Sequence, residues 1–126
     1  MDELRLASTR ITPEVKFQPR EGTLVISGRS HPENAPGFFD QVIEAIDNFS
    51  SYTTPRLTTN FQLEYFNTST SRCLLDVLYS LKKVGTNDKE IEINWYYDED
   101  DEDMMEMGED FAVLTDLNIN LHPIAY

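Results

Sequence analysis

The amino-acid sequence predicts an α/β fold: a single mixed, mainly parallel sheet of about five strands with three helices packed on it. Segments in which apolar and polar residues alternate, as in half-buried strands, are separated by segments in which apolar residues recur every three to four positions, as on one face of a helix. Strands joined by such helices prefer parallel pairing through right-handed crossovers. At 126 residues, 40% of them apolar, the chain is expected to form one domain over residues 1–126.

The first third of the chain predicts a hairpin followed by a helix. Val15 and Phe17 alternate with polar residues, which indicates a short strand, and residues 19–22 (PREG) indicate a turn. Residues 23–27 are mostly β-branched or apolar and indicate a second strand. These three segments together predict an antiparallel hairpin. A helix is expected from Pro36, because the missing N–H of proline has no intrahelical partner in a first turn. The buried face of this helix would carry Phe39, Val42, Ile43, Ile46 and Phe49.

The rest of the chain alternates strands with helices. We expect strands at residues 57–66, 89–97 and 117–121, because apolar residues alternate in each of them. A helix capped by Gly85 is expected between the first two strands, and another helix near residues 104–114. The apolar stripe of the helix that ends at Gly85 would comprise Leu74, Leu75, Val77, Leu78, Leu81 and Val84. The predicted order of elements is therefore β-β-α-β-α-β-α-β.

Three polar segments each follow one of the parallel strands. They are residues 28–34 (GRSHPEN), residues 67–71 (NTSTS) and the acidic residues 98–110. The carboxyl ends of parallel strands lie along one edge of a sheet, and open α/β sheets usually build their sites at that edge. The sequence therefore predicts that the three segments share one edge and that a site lies there.

The charge and the cysteine content of the chain exclude several classes of function. The formal net charge of −13 argues against binding to nucleic acid or to an anionic membrane, because phosphate binding depends on Lys and Arg. Basic protein partners and divalent cations stay open, as does a role of the charge in solubility alone. The one cysteine, Cys73, excludes an intrachain disulfide and is expected in the core. Because no secretory signal and no apolar run of about 20 residues occurs, we expect no membrane insertion and a cytoplasmic location.

The hydroxyl cluster of Thr68, Ser69, Thr70 and Ser71 precedes the second helix and has two interpretations. Such side chains commonly cap a helix by accepting hydrogen bonds from its first N–H groups, and this interpretation is favoured by position alone. A phosphate at the same place would meet unpaired N–H groups and the positive end of the helix dipole. One residue of the cluster can cap the helix while another is modified.

Metal binding and catalysis have weak support in the sequence. The acidic residues Asp98, Asp100, Glu102, Glu106 and Glu109 have the spacing of calcium ligands, but Asp103 stands where an EF-hand loop requires glycine. His31 and His122 are too far apart in sequence to indicate a zinc site. No nucleophile elbow, phosphate-binding loop or dinucleotide motif occurs. We therefore expect no enzyme activity, no metal and no cofactor.

Four segments together resemble the SiaC family of bacterial regulatory phosphoproteins. They are TPEVKF (residues 12–17), ISGRSHPENAPGFF (residues 26–39), LEYFNTSTSR (residues 63–72) and INWYYDEDDEDMMEMGEDF (residues 93–111), and the resemblance spans about residues 8–114. It implies a STAS-like architecture and a non-enzymatic switch protein. In the family, a histidine-kinase-ATPase-like threonine kinase phosphorylates a threonine of the NTS motif, and a PP2C-type phosphatase removes the phosphate.

The resemblance also implies the effector and the modified residue. The unphosphorylated form would bind and activate a diguanylate cyclase, raising cyclic di-GMP and favouring aggregation and biofilm. Matching the NTS motif residue by residue places the phosphoacceptor at Thr68. The alternatives are an anti-sigma factor antagonist, which uses the same switch on another partner, and a calcium-binding acidic module.

The expected partner-binding surface surrounds Thr68. Its predicted members are Asn67, Ser69, Thr70 and Arg72 from the NTSTS region, and Arg29, Ser30, Glu33 and Asn34 from the neighbouring loop. Within this set, Asn67 and Ser69 would hold the loop, Arg29 and Arg72 would be the nearest cations, and Thr70 or Ser71 would cap the helix. Residues 63–66 are expected to be scaffold.

Overall fold

Six strands form one sheet, in the order β1-β2-β3-β4-β5-β6, in a computed structural model that describes residues 3–125 of the chain. The strands are β1 (Leu4–Leu6), β2 (Glu14–Gln18), β3 (Thr23–Ser30), β4 (Arg56–Phe66), β5 (Glu90–Asp98) and β6 (Ile119–Ile124). The helices are α1 (Ala35–Asp47), which continues into a short 3₁₀ helix (Asn48–Ser51), α2 (Thr68–Gly85) and α3 (Glu102–Thr115).

The predicted α/β fold class is confirmed, with one more strand than expected. β1 pairs antiparallel with β2, so that Leu4 lies opposite Phe17. The sequence analysis missed this strand because three residues are too few to show alternation. β1 forms the edge of the sheet beside β2, away from the segments that follow β3, β4 and β5.

The pairing of the strands follows the prediction. β2 and β3 form the antiparallel hairpin, whereas β3, β4, β5 and β6 pair in parallel. The hairpin turn closes where the Gly22 N–H donates to the Gln18 carbonyl oxygen at 2.8 Å. Gly22 has φ +77°, and a Cβ at this position would lie 2.2 Å from the Arg56 carbonyl oxygen. The turn therefore requires glycine.

The hydrophobic core lies between the sheet and the helices. The inward side chains of the strands are buried, among them Val15, Leu24, Phe61 and Trp95. α1 packs on α2, and α2 packs on α3. Cys73 is buried in this core as predicted, and burial raises the pKa of its thiol. Among residues 3–125, no helix is long and apolar enough to cross a membrane.

The side of the sheet opposite the core is polar. Lys16, Val25, Asn60, Asn94 and Asn120 lie at successive register positions from β2 to β6, and all of them except Val25 are polar. The Asn94 side-chain amide donates to the Asn60 oxygen at 2.9 Å, and its own oxygen accepts from the Asn120 amide at 3.2 Å. These bonds satisfy the polar atoms of Asn94, which is only 5% exposed.

Trp95 fixes the position of α3 against the sheet. Its indole N–H donates to the Met104 carbonyl oxygen at 2.9 Å, and its ring meets Phe111 edge-on at 5.6 Å. Gly108 lets the helix approach, because a Cβ there would lie 2.7 Å from both Trp95 Cδ1 and Leu121 Cδ2. The first turn of α3 is therefore held close to the carboxyl ends of β4 and β5.

Replacing Gly108 with alanine is expected to destabilise the fold. The new methyl group would overlap Trp95 and Leu121, and such overpacking costs about 1–3 kcal/mol. Thermal unfolding followed by circular dichroism should show a melting temperature several degrees lower for Gly108→Ala. Glu106→Ala, on an exposed position of the same helix, is the control and should leave the melting temperature nearly unchanged. Equal melting temperatures for the two variants would contradict the close packing of α3.

Candidate functional site

The three polar segments lie along one edge of the sheet, as the sequence predicts. β3 ends at Ser30, β4 at Phe66 and β5 at Asp98, and the three strands are parallel neighbours. The Asn67 N–H donates to the Ser30 carbonyl oxygen at 3.1 Å. This bond links the segment after β3 to the segment after β4.

Asn67 caps α2. Its backbone is extended, and its side-chain oxygen accepts a hydrogen bond from the Thr70 N–H at 2.9 Å. Its carbonyl oxygen accepts from the Ser71 N–H at 3.0 Å. The prediction that Thr70 or Ser71 caps the helix is therefore wrong: α2 begins at Thr68, and the asparagine before the hydroxyl cluster satisfies its first turn.

Ser30 and Thr70 form a buried hydroxyl pair beneath this turn. Their side-chain oxygens are 2.8 Å apart, the Thr70 hydroxyl also lies 3.3 Å from the Ser30 carbonyl oxygen, and both side chains are fully buried. The prediction that Ser30 and Thr70 contact a partner is therefore wrong for this structure. Both side chains face the interior, where they tie the end of β3 to the first turn of α2.

Thr68 and Ser69 are exposed, and the Thr68 side chain opens onto a cavity. This cavity, which we call the Thr68 cavity, has a volume of about 370 Å³. Its lining comprises Glu64, Tyr65, Phe66, Asn67, Thr68, Ser71, Asp101, Asp103, Met104 and Met107. The aromatic and methionine side chains make part of the lining apolar. The lining also carries three carboxylates, and no Lys or Arg is among these residues.

The two predicted cations do not line the Thr68 cavity. Arg29 is exposed with its guanidinium 5.2 Å from the centre of the Tyr65 ring, and it lines a different cavity. Arg72 is exposed on α2 and lines neither cavity. That Arg29 and Arg72 are the cations nearest to Thr68 stays a prediction; Arg72 follows Thr68 by four residues in α2 and so lies on the same side of that helix.

The other two predicted partner-binding residues lie on the loop before α1. Glu33 and Asn34 are both exposed. The Asn34 side-chain oxygen accepts from the Gly37 N–H at 3.1 Å and so caps α1. Neither residue lines the Thr68 cavity or the cavity that holds Arg29. The structure therefore brings Asn67 and Thr68 together and leaves Glu33 and Asn34 outside that group.

The end of β4 is also part of the candidate site. Glu64 and Tyr65 are both exposed, although they were expected to be scaffold. The cause is an irregularity in the pairing with β3: Gly28 lies opposite Leu63, but Arg29 lies opposite Tyr65. The extra residue breaks the alternation and leaves Tyr65 at the surface. Gly28, with φ +106°, is the signal in the sequence that indicates such a bulge.

The acidic segment 98–110 is not a calcium loop. Its second half forms α3, so that Glu102, Glu106 and Glu109 lie on a helix instead of the 12-residue loop that EF-hands use. Asp101 caps this helix by accepting from the Met104 N–H at 3.0 Å. Within residues 3–125, no group of three or more His, Cys, Asp and Glu side chains is arranged to hold a metal ion.

The structure thus places an exposed threonine at the capped start of α2, beside a cavity lined in part by apolar side chains. The chain belongs to the SiaC family of regulatory phosphoproteins, whose family model matches residues 6–124. Similarity to one protein of Pseudomonas aeruginosa (strain UCBPP-PA14), PA14_02130, reaches 30% identity over 111 residues, which is 88% of each chain.

Solved structures confirm the fold. Apo-SiaC from Pseudomonas aeruginosa superposes with a TM-score of 0.86 at 26% identity, over 97% of this chain and 99% of that one. SiaC of the same organism, in complex with the diguanylate cyclase SiaD that it activates, superposes with a TM-score of 0.88 at 26% identity. That comparison covers 96% of this chain and 99% of the other. The family and the fold class implied by the sequence resemblance are thus confirmed.

Replacing Asn67 with alanine is expected to destabilise α2, because the Thr70 N–H would lose its capping acceptor. We expect a loss of about 1 kcal/mol in the free energy of unfolding, measured by urea denaturation. Ser71→Ala is the matched control, because Ser71 lies in the same turn and does not supply the cap; its effect should stay within about 0.5 kcal/mol. A larger loss for Ser71→Ala than for Asn67→Ala would contradict the assignment of the cap.

Proposed function

We propose that this chain is a non-enzymatic switch protein whose binding to a diguanylate cyclase is controlled by phosphorylation of Thr68. The observation that carries the proposal is the exposure of Thr68 at the capped start of α2, at the edge of a cavity. The unphosphorylated form binds and activates the cyclase, and so controls cyclic di-GMP and biofilm formation. The SiaC relative solved with SiaD, described there as the activator of that cyclase, supports the choice of partner.

Thr68 is the best phosphoacceptor among the four hydroxyl residues of its motif. Thr70 is fully buried and hydrogen bonded to Ser30, so a kinase cannot reach it without opening the turn. Ser71 is partly buried, and Ser69 is exposed but does not line the Thr68 cavity. Thr68 alone combines exposure with a position on that cavity.

A phosphate on Thr68 would leave the local fold intact and change the surface. It adds about −1.5 to −2 charges at pH 7, at a helix N-terminus where the dipole stabilises negative charge. The lining of the cavity offers three carboxylates and no Lys or Arg, so on the cavity side the dianion depends on water for its solvation. A partner that covers the cavity would remove this water, which costs several kcal/mol for an unpaired charge. Phosphorylation therefore prevents binding.

The enzymes that act on Thr68 belong to the same proposal. A histidine-kinase-ATPase-like threonine kinase adds the phosphate and a PP2C-type phosphatase removes it, and both can reach an exposed hydroxyl. The switch operates in the cytoplasm, where the kinase finds ATP. An anti-sigma factor antagonist would use the same switch with another partner, but the solved complex of a relative with a cyclase favours the cyclase.

Binding to the diguanylate cyclase of the same organism tests the switch. Isothermal titration calorimetry should give similar dissociation constants for the wild type, Thr68→Ala and the control Ser69→Ala. Phosphorylated wild type should bind at least about 100-fold more weakly, which corresponds to about 2.7 kcal/mol. Cyclic di-GMP production by the cyclase should be similar with the wild type, Thr68→Ala and Ser69→Ala and lower with phosphorylated wild type, because activation requires binding.

Treatment with kinase and ATP completes this test. Thr68→Ala should keep its affinity for the cyclase after the treatment, whereas Ser69→Ala should lose it. An unchanged affinity of phosphorylated wild type would refute the switch, and loss of affinity by treated Thr68→Ala would place the phosphoacceptor elsewhere.

A further inference from the structure

A second cavity lies beside the Thr68 cavity and has the opposite charge. It has a volume of about 510 Å³, and we call it the Arg29 cavity. Its lining comprises Ser8, Thr9, Arg10, Ile11, Gly28, Arg29, His31 and Glu64. Glu64 lines both cavities, so the two are adjacent at the end of β4.

The Arg29 cavity concentrates positive charge on a strongly acidic chain. Lys and Arg number 10 against 23 Asp and Glu in the whole sequence. Two of the 10, Arg10 and Arg29, line this cavity together with His31, and Glu64 is the single carboxylate among the lining residues. The sign of the surface charge therefore changes from one side of Glu64 to the other.

The segment that carries Arg10 is held in place by hydrogen bonds. The Thr9 hydroxyl accepts from the Ile11 N–H at 3.2 Å and from the Thr12 N–H at 2.9 Å, which closes a local turn. The His31 N–H donates to the Ile11 carbonyl oxygen at 2.8 Å and joins this turn to the end of β3. Both arginines are thus presented from backbone that is fixed before a partner arrives, which lowers the entropic cost of binding.

Tyr65 stands at the boundary between the two cavities. It is 43% exposed and lines the Thr68 cavity. On its other side, the Arg29 guanidinium lies 5.2 Å from the ring centre and the His31 ring lies 6.0 Å away, edge-on. An exposed tyrosine held between neighbours is a common anchor of protein–protein interfaces.

We propose that the Arg29 cavity binds a carboxylate of the partner protein, next to an apolar partner side chain that packs on Tyr65 and enters the Thr68 cavity. The proposal deepens the function proposed above and rests on it for the identity of the partner. Arginine matches a carboxylate through paired N–H donors. The apolar side chain meets Tyr65, Phe66, Met104 and Met107, and methionine adapts to the shape of what it contacts.

This arrangement explains how one phosphate acts on the whole surface. A dianion on Thr68 would fill part of the space that the apolar side chain needs, and it would repel a carboxylate bound in the adjacent cavity. The charge pattern also fixes the orientation of the partner, because rotating the partner would place its carboxylate against Asp101 and Asp103.

Charge reversal at the two arginines tests the proposal. Arg10→Glu and Arg29→Glu should each weaken binding of the unphosphorylated chain to the cyclase at least about 10-fold, with a larger effect at low salt. Lys83→Glu is the matched control, since Lys83 is exposed in the last turn of α2, at the opposite end of this helix from Thr68, and lines neither cavity; its affinity should stay within about threefold of wild type. Affinities of Arg10→Glu and Arg29→Glu equal to wild type would overturn the carboxylate site and leave the Thr68 switch intact.

A probe that does not depend on the cyclase separates the two proposals. The capped peptide Leu-Glu-Leu-Leu-Glu-Leu, titrated into the labelled chain, should shift the NMR signals of Arg10, Arg29, His31 and Tyr65. The same peptide with lysine in place of glutamate should shift them far less, and Arg29→Glu should weaken binding of the glutamate peptide. If the wild type does not bind the cyclase but binds this peptide at Arg29, the proposed function fails and the carboxylate site stands. Equal effects of the two peptides, or no shift at these residues, would overturn the site.

Discussion

The buried hydrogen bond between Ser30 and Thr70 is the constraint on which the site depends. It joins the end of β3 to the first turn of α2, and the bond from the Asn67 N–H to the Ser30 carbonyl oxygen reinforces the connection. Because Thr70 turns inward and Asn67 caps the helix, Thr68 points outward on a turn that has little freedom to move. The motif thus divides its polar residues between two tasks: Asn67 and Thr70 build the turn, and Thr68 remains accessible.

In the proposed switch, the surface around this turn makes a single phosphate on Thr68 an effective signal. The Thr68 cavity is apolar in part and carries carboxylates, while the neighbouring Arg29 cavity carries the opposite charge. In the proposed complex this surface accepts the partner in one orientation, and a dianion on Thr68 would disturb both the apolar contact and the charge pairing. The overall charge of −13 repels acidic proteins in general. An acidic partner would therefore bind only if it places a carboxylate against Arg10 and Arg29.

The sequence was sufficient for most of the fold and for the edge of the sheet at which the polar segments meet. Alternating strands and amphipathic helices predicted the hairpin, the parallel strands and the edge at which three polar segments meet. The cap was misassigned because Asn, Ser and Thr are all good capping residues, and only the buried position of Thr70 distinguishes them. Tyr65 was missed because a bulge interrupts the alternation that the strand pattern assumes. Which residues line each cavity depends on the directions of side chains, which spacing along a sequence does not encode.

In the proposed switch, phosphorylation of Thr68 changes the charge of a fixed surface without rearranging the fold. Amide NMR spectra and hydrogen exchange of the chain, before and after phosphorylation of Thr68, test this claim most directly. We expect large shifts only in residues that line the Thr68 and Arg29 cavities, with the protection of the first turn of α2 kept or increased. Loss of protection in that turn, or shifts spread through α1 and the sheet, would contradict the account and indicate a conformational switch instead.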